Sequence, residues 1–171
     1  MTEEERRHLL GELERGAREL RQALEGLEEE LAARKPAPDR WSVLDCVEHV
    51  AVVEQHLLGR LEAAAPAAGP VGTLQREARI MERAGDRSRP VPAPEMAHPR
   101  GRFASVSEAL AHFEAARART VRFVAECGID LRGQATTHPL IGAVNAQETV
   151  LMMALHPVRH AKQIAEIRAE L

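Results

Sequence analysis

The residues best suited to chemistry in this chain are the histidines of the run His156-Pro157-Val158-Arg159-His160. Side chains four apart on a helix lie one above the other on one face, so two imidazoles at this spacing can converge on one metal ion. The spacing alone is a weak signal, because the chain has 8 His and a pair of them is often plain polar surface. A third candidate is His49, which sits among apolar residues near the start of a helix expected to face inward, where an unpaired imidazole would be costly. The plainer alternative for His49 is a buried ring bonded to a backbone carbonyl or a carboxylate. Three histidines from two helices match the way bundles build metal sites from facing helices. Three protein ligands also leave coordination positions open for water or substrate, as in catalytic rather than structural sites.

The neighbours of these residues carry weaker signals. Pro157 falls between two candidate ligands, removes the helical bond to the carbonyl of residue 153 and disfavours helical geometry at His156, at a cost of about 3 kcal/mol. A kink there would either aim both rings at one ion or part them. Asp45 lies one turn before His49 and is a candidate to orient its ring, with a structural carboxylate as the plainer reading. Glu48 points about 100° away from His49 and reads as structural or solvated. His138, in a loop before the last helix, is a candidate to approach the site, and Gln163, one turn beyond Arg159, is a candidate substrate contact. Surface roles are the alternative for both. Cys46, three residues before His49, is either a ligand or thiol nucleophile or, as the commoner case, a small buried apolar residue. Seven Arg against four acidic residues between positions 76 and 102 give a local positive excess, read as solvated loop charge or as an attraction for an anionic substrate.

Helices must position these groups. Leu9, Leu13, Ala17, Leu20, Leu24, Leu27 and Leu31 recur at steps of three and four and predict one helix from about residue 3 to residue 34, ended by the run 35–40. Ser42 with Asp45 resembles a capping box and opens a second helix from Trp41-Ser42 to about Ala65. Residues 66–72 break the chain, and a shorter helix runs from Thr73 to about Ala84. The segment 85–103, with Pro90, Pro92, Pro94 and Pro99, reads as a long surface loop that covers something or moves. Ser105 with Glu108 opens another helix to about Cys127, with Gly128 as its left-handed terminator. Residues 129–144 read as a loop, and Asn145 with Glu148 opens the last helix, to about Ala169. No strand pattern and no repeat is visible, and a helical bundle is the economical assembly.

Composition narrows the function classes. With one Trp, three Phe and no Tyr in 171 residues, the core must be Leu, Val, Ile and Ala, which suits helix-on-helix packing and argues against an aromatic platform for single-stranded nucleic acid. The formal net charge of −3 argues against a general footprint for DNA or RNA. Two Cys form no disulfide framework, so a reducing cytoplasm is the expected compartment. No signal-peptide pattern and no apolar run of the roughly 18 to 20 residues needed to span a membrane is present.

The combination of WSVLDCVEHV from residue 41, the run HPLIGAVNAQET from 138 and HPVRHAKQI from 156 resembles the DinB-like superfamily, four-helix-bundle proteins that include bacterial thiol-dependent S-transferases. The resemblance extends over nearly the whole chain, including a Pro-rich loop and third long helix between residues 93 and 119. It implies an all-α, up-down four-helix bundle with one extra short helix, as a single domain over residues 1–171. It also implies that His49, His156 and His160 bind a divalent metal, usually nickel or zinc. The expected function is therefore a metal-dependent enzyme that activates a low-molecular-weight thiol or water, as a thiol S-transferase or hydrolase acting on a small molecule. A non-catalytic metal- or small-molecule-binding stress-response protein is the alternative. A homodimer is expected, and a purely structural dimerisation module, with the stripe from Leu9 to Leu31 packed on another subunit, is a third reading.

Overall fold

The computed structural model of the chain describes residues 1–88, 91–138 and 141–171. Helix α1 spans Glu3–Leu24 and starts at a full capping box, Thr2 with Glu5. It is shorter than its leucine stripe predicts. Gly26, at φ 66°, takes the left-handed conformation that Gly adopts without steric cost, and the chain turns there. The stripe resumes in a separate one-turn helix, α2, Glu29–Ala33. Helix α3, Val43–Glu62, follows the predicted Ser42–Asp45 capping box, so Trp41 lies outside the helix. A two-residue strand β1, Ala65–Pro66, leads to α4, Leu74–Arg83, capped by the Thr73 side chain.

The 85–103 segment holds one 3-10 turn, Glu95–Ala97, while its residues 89 and 90 fall outside the described part. Helix α5 is Val106–Glu126. Its box is incomplete: Ser105 Oγ accepts from the Glu108 N–H, but the Glu108 carboxylate accepts from Ala104 rather than Ser105. Its end also differs from expectation, because Cys127 leaves the helix in an extended conformation and Gly128 is not among the glycines with positive φ. The expected loop 129–144 instead contains strands β2, Gln134–His138, and β3, Gly142–Asn145, after a 3-10 turn at Leu131–Gly133. With β1 they form an antiparallel sheet in the order β1-β2-β3, with Ala135 opposite both Ala65 and Asn145. These strands are too short and too poor in alternating apolar residues to show in the sequence. Helix α6, Ala146–Glu170, starts at the predicted Asn145–Glu148 box and runs through Pro157 without interruption.

Four long helices make the bundle. Helix α1 packs along α6 and across α5, and α3 packs on α5 and α6, so the first two long helices stand at opposite corners. One half of the core holds Leu9, Leu13, Leu58, Leu61, Val150 and Met153, and the other holds Leu20, Val47, Val50, Phe113, Ile164 and Ile167. Leu9, Leu13, Ala17 and Leu20 of the leucine stripe are thus buried within the chain, and a homodimer would need another face. Helices α1 and α6 approach so closely that a Cβ added at Gly16 would lie 2.1 Å from the Ala154 carbonyl oxygen. That contact accounts for a glycine inside a helix that it otherwise weakens.

A polar layer separates the two apolar halves. Arg117 is 4% exposed and Glu54 2%, and they form a two-point ion pair, Nε to Oε1 at 2.7 Å and Nη2 to Oε2 at 2.9 Å. The remaining donors of Arg117 reach the carbonyls of Leu13 and Met153, at 2.6 and 2.7 Å, and Thr120 Oγ1 donates to Glu54. One guanidinium therefore ties all four long helices together.

Candidate metal centre

The two helices that carry the candidate ligands meet in the bundle, and their histidines meet with them. Nε2 of His156 lies 3.1 Å from Nε2 of His49 and 3.1 Å from Nε2 of His160. All three nitrogens lie within 4.8 Å of one another, forming a group able to hold a metal ion. Two nitrogens at about 2.0–2.1 Å from a tetrahedral zinc ion stand about 3.3 Å apart, so this spacing suits a shared cation. Pro157 neither ends the helix nor parts the rings.

Hydrogen-bond accounting points the same way. His49 Nδ1 lies 2.7 Å from the Ala97 carbonyl, which can only accept, so the ring proton sits on Nδ1 and Nε2 presents a lone pair. His156 Nε2 has one proton at most, and its two close contacts cannot both be satisfied by hydrogen bonds when one faces that lone pair. A cation in the centre resolves the conflict. Burial pushes the pKa of His49 down. Burial together with the adjacent imidazoles and Arg159 pushes His156 and His160 well below the ordinary histidine value. All three rings are thereby held neutral, the form that ligates a metal.

The surroundings are apolar and aromatic on one side. Trp41, just ahead of α3, places its ring centroid 4.9 Å from that of His49 and stacks on His160 at 6.3 Å. Ala97 is fully buried over His49, so the predicted cover from the 85–103 segment consists of its 3-10 turn. Glu48, 1% exposed, faces away from the imidazoles and accepts from the backbone of Arg100 and Arg102.

Of the other predicted residues, only Gln163 adjoins one of the three imidazoles. Among the described residues no hydrogen bond joins Asp45 to His49: Asp45 accepts from the Ser42 N–H and pairs with Lys35 at 3.3 Å, and the Ala97 carbonyl is the group on His49 Nδ1. Gln163 lies beside His160, favouring its cation, and accepts from Arg87. His138, at the end of β2, has Arg60 and His56 as its charged neighbours and stands outside the imidazole group. Pro139, which follows it, lies outside the described residues. Cys46 is fully buried, and burial with the nearby Asp45 charge raises its thiol pKa, which fits the small-hydrophobe reading. Four of the six described arginines of 76–102 are in ion pairs: Arg76 with Glu148, Arg87 with Glu166, Arg100 with Glu95 and Arg102 with Glu48. Two clefts of about 230 and 400 Å³ adjoin Glu77 and Arg132 near the start of α6, away from the imidazoles.

Fold and site together define a helical bundle with a three-histidine centre between two of its helices. The family model of the DinB superfamily matches residues 12–164, and the chain belongs to that superfamily. Two solved structures share the fold. YfiT from Bacillus subtilis, described as "a probable metal-dependent hydrolase with an unusual four-helix bundle topology", is 15% identical with a TM-score of 0.62, over 99% of this chain and 89% of its own. TT2238, "a four-helix bundle protein", is 22% identical with a TM-score of 0.61, over 94% of this chain and 98% of its own. No protein of curated function matches the chain. Among the described residues no helix is long and apolar enough to cross a membrane.

Proposed function

We propose that the chain is a metal-dependent enzyme in which His49, His156 and His160 hold one divalent cation, nickel or zinc, and that its substrate is a small molecule attacked by a low-molecular-weight thiol or by water. The observation that carries this reading is the meeting of three neutral Nε2 atoms from α3 and α6, one of them with its proton fixed on the far nitrogen. A cation held there lowers the pKa of a coordinated water or thiol and supplies a nucleophile near neutral pH. The chain's own part is to keep the three rings unprotonated, to hold the His49 tautomer through Ala97, and to exclude water on the Trp41 side. The description of YfiT as a probable metal-dependent hydrolase supports hydrolysis, and the resemblance to thiol-dependent S-transferases supports thiol transfer. The free state of Cys46 and Cys127 supports a reducing cytoplasm as the compartment.

The test begins with metal content of the purified protein and of His49→Ala and His160→Ala. Stoichiometric metal in the parent and its loss in both variants is expected, and unchanged metal in both defeats the ligand assignment. The metal-replete protein is then assayed with several thiols against small electrophiles, and with esters and amides for hydrolysis. A metal-loaded protein inactive in every assay, yet retaining a small molecule on purification, would establish the binding-protein alternative.

A further inference from the structure

We infer that Glu48 is a positioning residue for the metal centre: it clamps the segment 95–102 so that the Ala97 carbonyl stays on His49 Nδ1 and His49 Nε2 stays aimed at the other two imidazoles. The inference rests on the metal-binding reading of those imidazoles.

Glu48 precedes His49 on α3, and successive helical side chains diverge by about 100°, so its carboxylate cannot share the ligand position. It grips instead the same segment that His49 touches. Oε1 accepts from the Arg100 N–H at 2.6 Å and Oε2 from the Arg102 N–H at 3.0 Å. Gly101 between them, at φ 68°, gives the left-handed turn that lets alternate N–H groups converge on an anion. Arg102 Nη1 adds a third bond to Oε1 at 2.6 Å and also donates to the His98 carbonyl at 2.9 Å, so the side chain that meets Glu48 braces the segment from within. A carboxyl group this deeply buried is tolerated only when its oxygens are bonded in this way. Opening the segment would break all three at once. Ala97, three residues before Arg100, is thereby held against His49, and its backbone carbonyl is the one hydrogen-bond partner of Nδ1 among the described residues. Because linkage is reciprocal, whatever orders this segment favours metal binding, and metal binding favours its order.

The test compares the full chain with Glu48→Gln and with a control, Glu29→Gln. Glu29 also holds backbone N–H groups, those of Val106 and Ser107, but touches neither His49 nor the segment. Zinc affinity is measured by competition with a chromophoric chelator, and the His49 tautomer in metal-free protein by imidazole ¹⁵N shifts. Glu48→Gln should weaken zinc binding roughly 10- to 100-fold, the range for losing a partner that orients a metal ligand. It should also turn the single Nδ1–H tautomer of His49 into a mixture, while Glu29→Gln leaves both readouts as in the parent. If Glu48→Gln does not fold, Arg102→Ala replaces it, keeping both backbone bonds and giving a smaller change in the same directions. Parent-like zinc affinity and tautomer in these variants, or an equal loss in Glu29→Gln, would overturn the inference. A parent protein that binds neither zinc nor nickel refutes the metal reading, and the tautomer comparison still decides the role of Glu48.

Discussion

Arg117 Nη2 donates to the carbonyl of Met153 at 2.7 Å, and Met153 is the residue whose helical partner, the N–H of position 157, is absent because that position is proline. The helix interior thus contains a proline between two ligands because a buried arginine from α5 replaces the missing donor. Glu54 neutralises that arginine, and the Leu13 carbonyl of α1 takes another of its N–H groups.

Arg117→Met should therefore destabilise the fold by about 3–5 kcal/mol, since it leaves the Glu54 carboxylate buried without its partner. Adding Glu54→Leu should recover most of this, but not the share of about 1–3 kcal/mol owed to the orphaned Met153 carbonyl. Pro157→Ala in that background restores a backbone N–H and should recover stability further. Urea unfolding of the series measures each step, and a Pro157→Ala change equally stabilising with and without Arg117 would refute the link.

Gly16→Ala is expected to destabilise despite the better helix propensity of Ala. A Cβ there would stand 2.1 Å from the Ala154 oxygen, a backbone atom that moves only with its helix, and overpacking of this kind costs about 1–3 kcal/mol. Thermal unfolding of the variant against Gly11→Ala, where nothing lies within 4 Å, separates the contact from propensity, and Gly11→Ala should be neutral or stabilising.

Acid should weaken the tie between α1 and the β2 end of the molecule. Hydrogen bonds from Arg132 and Thr2 pull the Glu5 pKa from 4.5 down to about 2. A carboxylate with a depressed folded-state pKa stabilises fully above its unfolded value, and this is lost as pH falls through the folded one. The stability gap between the parent and Glu5→Gln should accordingly be constant above about pH 5 and close progressively toward pH 2. Denaturant titrations at several pH values follow it, and a gap that widens on acidification would contradict the assignment.

Iodoacetamide should label Cys127 and spare Cys46 in the folded protein. Cys46 is fully enclosed and its thiolate is disfavoured by burial, whereas Cys127 is partly exposed. Peptide mass spectrometry before and after unfolding checks this, and native labelling of Cys46 would reopen its reading as a nucleophile.

The long helices α3, α5 and α6 were legible in the sequence because each begins with a side-chain cap and carries a helical apolar period, and His49, His156 and His160 were legible because a helix converts a four-residue spacing into a shared face. The break at Gly26 was hidden by a leucine period that continues across it. The strands were hidden because four or five polar and small residues carry no alternation. For His49 the sequence pointed to the kind of partner, a backbone carbonyl or a carboxylate, but not to Ala97, since every residue has a backbone carbonyl. Pro157 shows in the sequence that the carbonyl of residue 153 lacks its helical donor, but not that the buried Arg117 of another helix supplies one.

Trp41 gives the centre a reporter of its own. It is the only Trp in a chain without Tyr, and its ring lies against His49 and His160, so the intrinsic fluorescence of the whole protein comes from one fluorophore at the candidate site. A paramagnetic ion such as Ni²⁺ or Cu²⁺ entering among the imidazoles should quench that emission, and diamagnetic Zn²⁺ should displace it without comparable quenching. Occupancy, exchange and competition at the centre can then be followed in real time on the unlabelled chain.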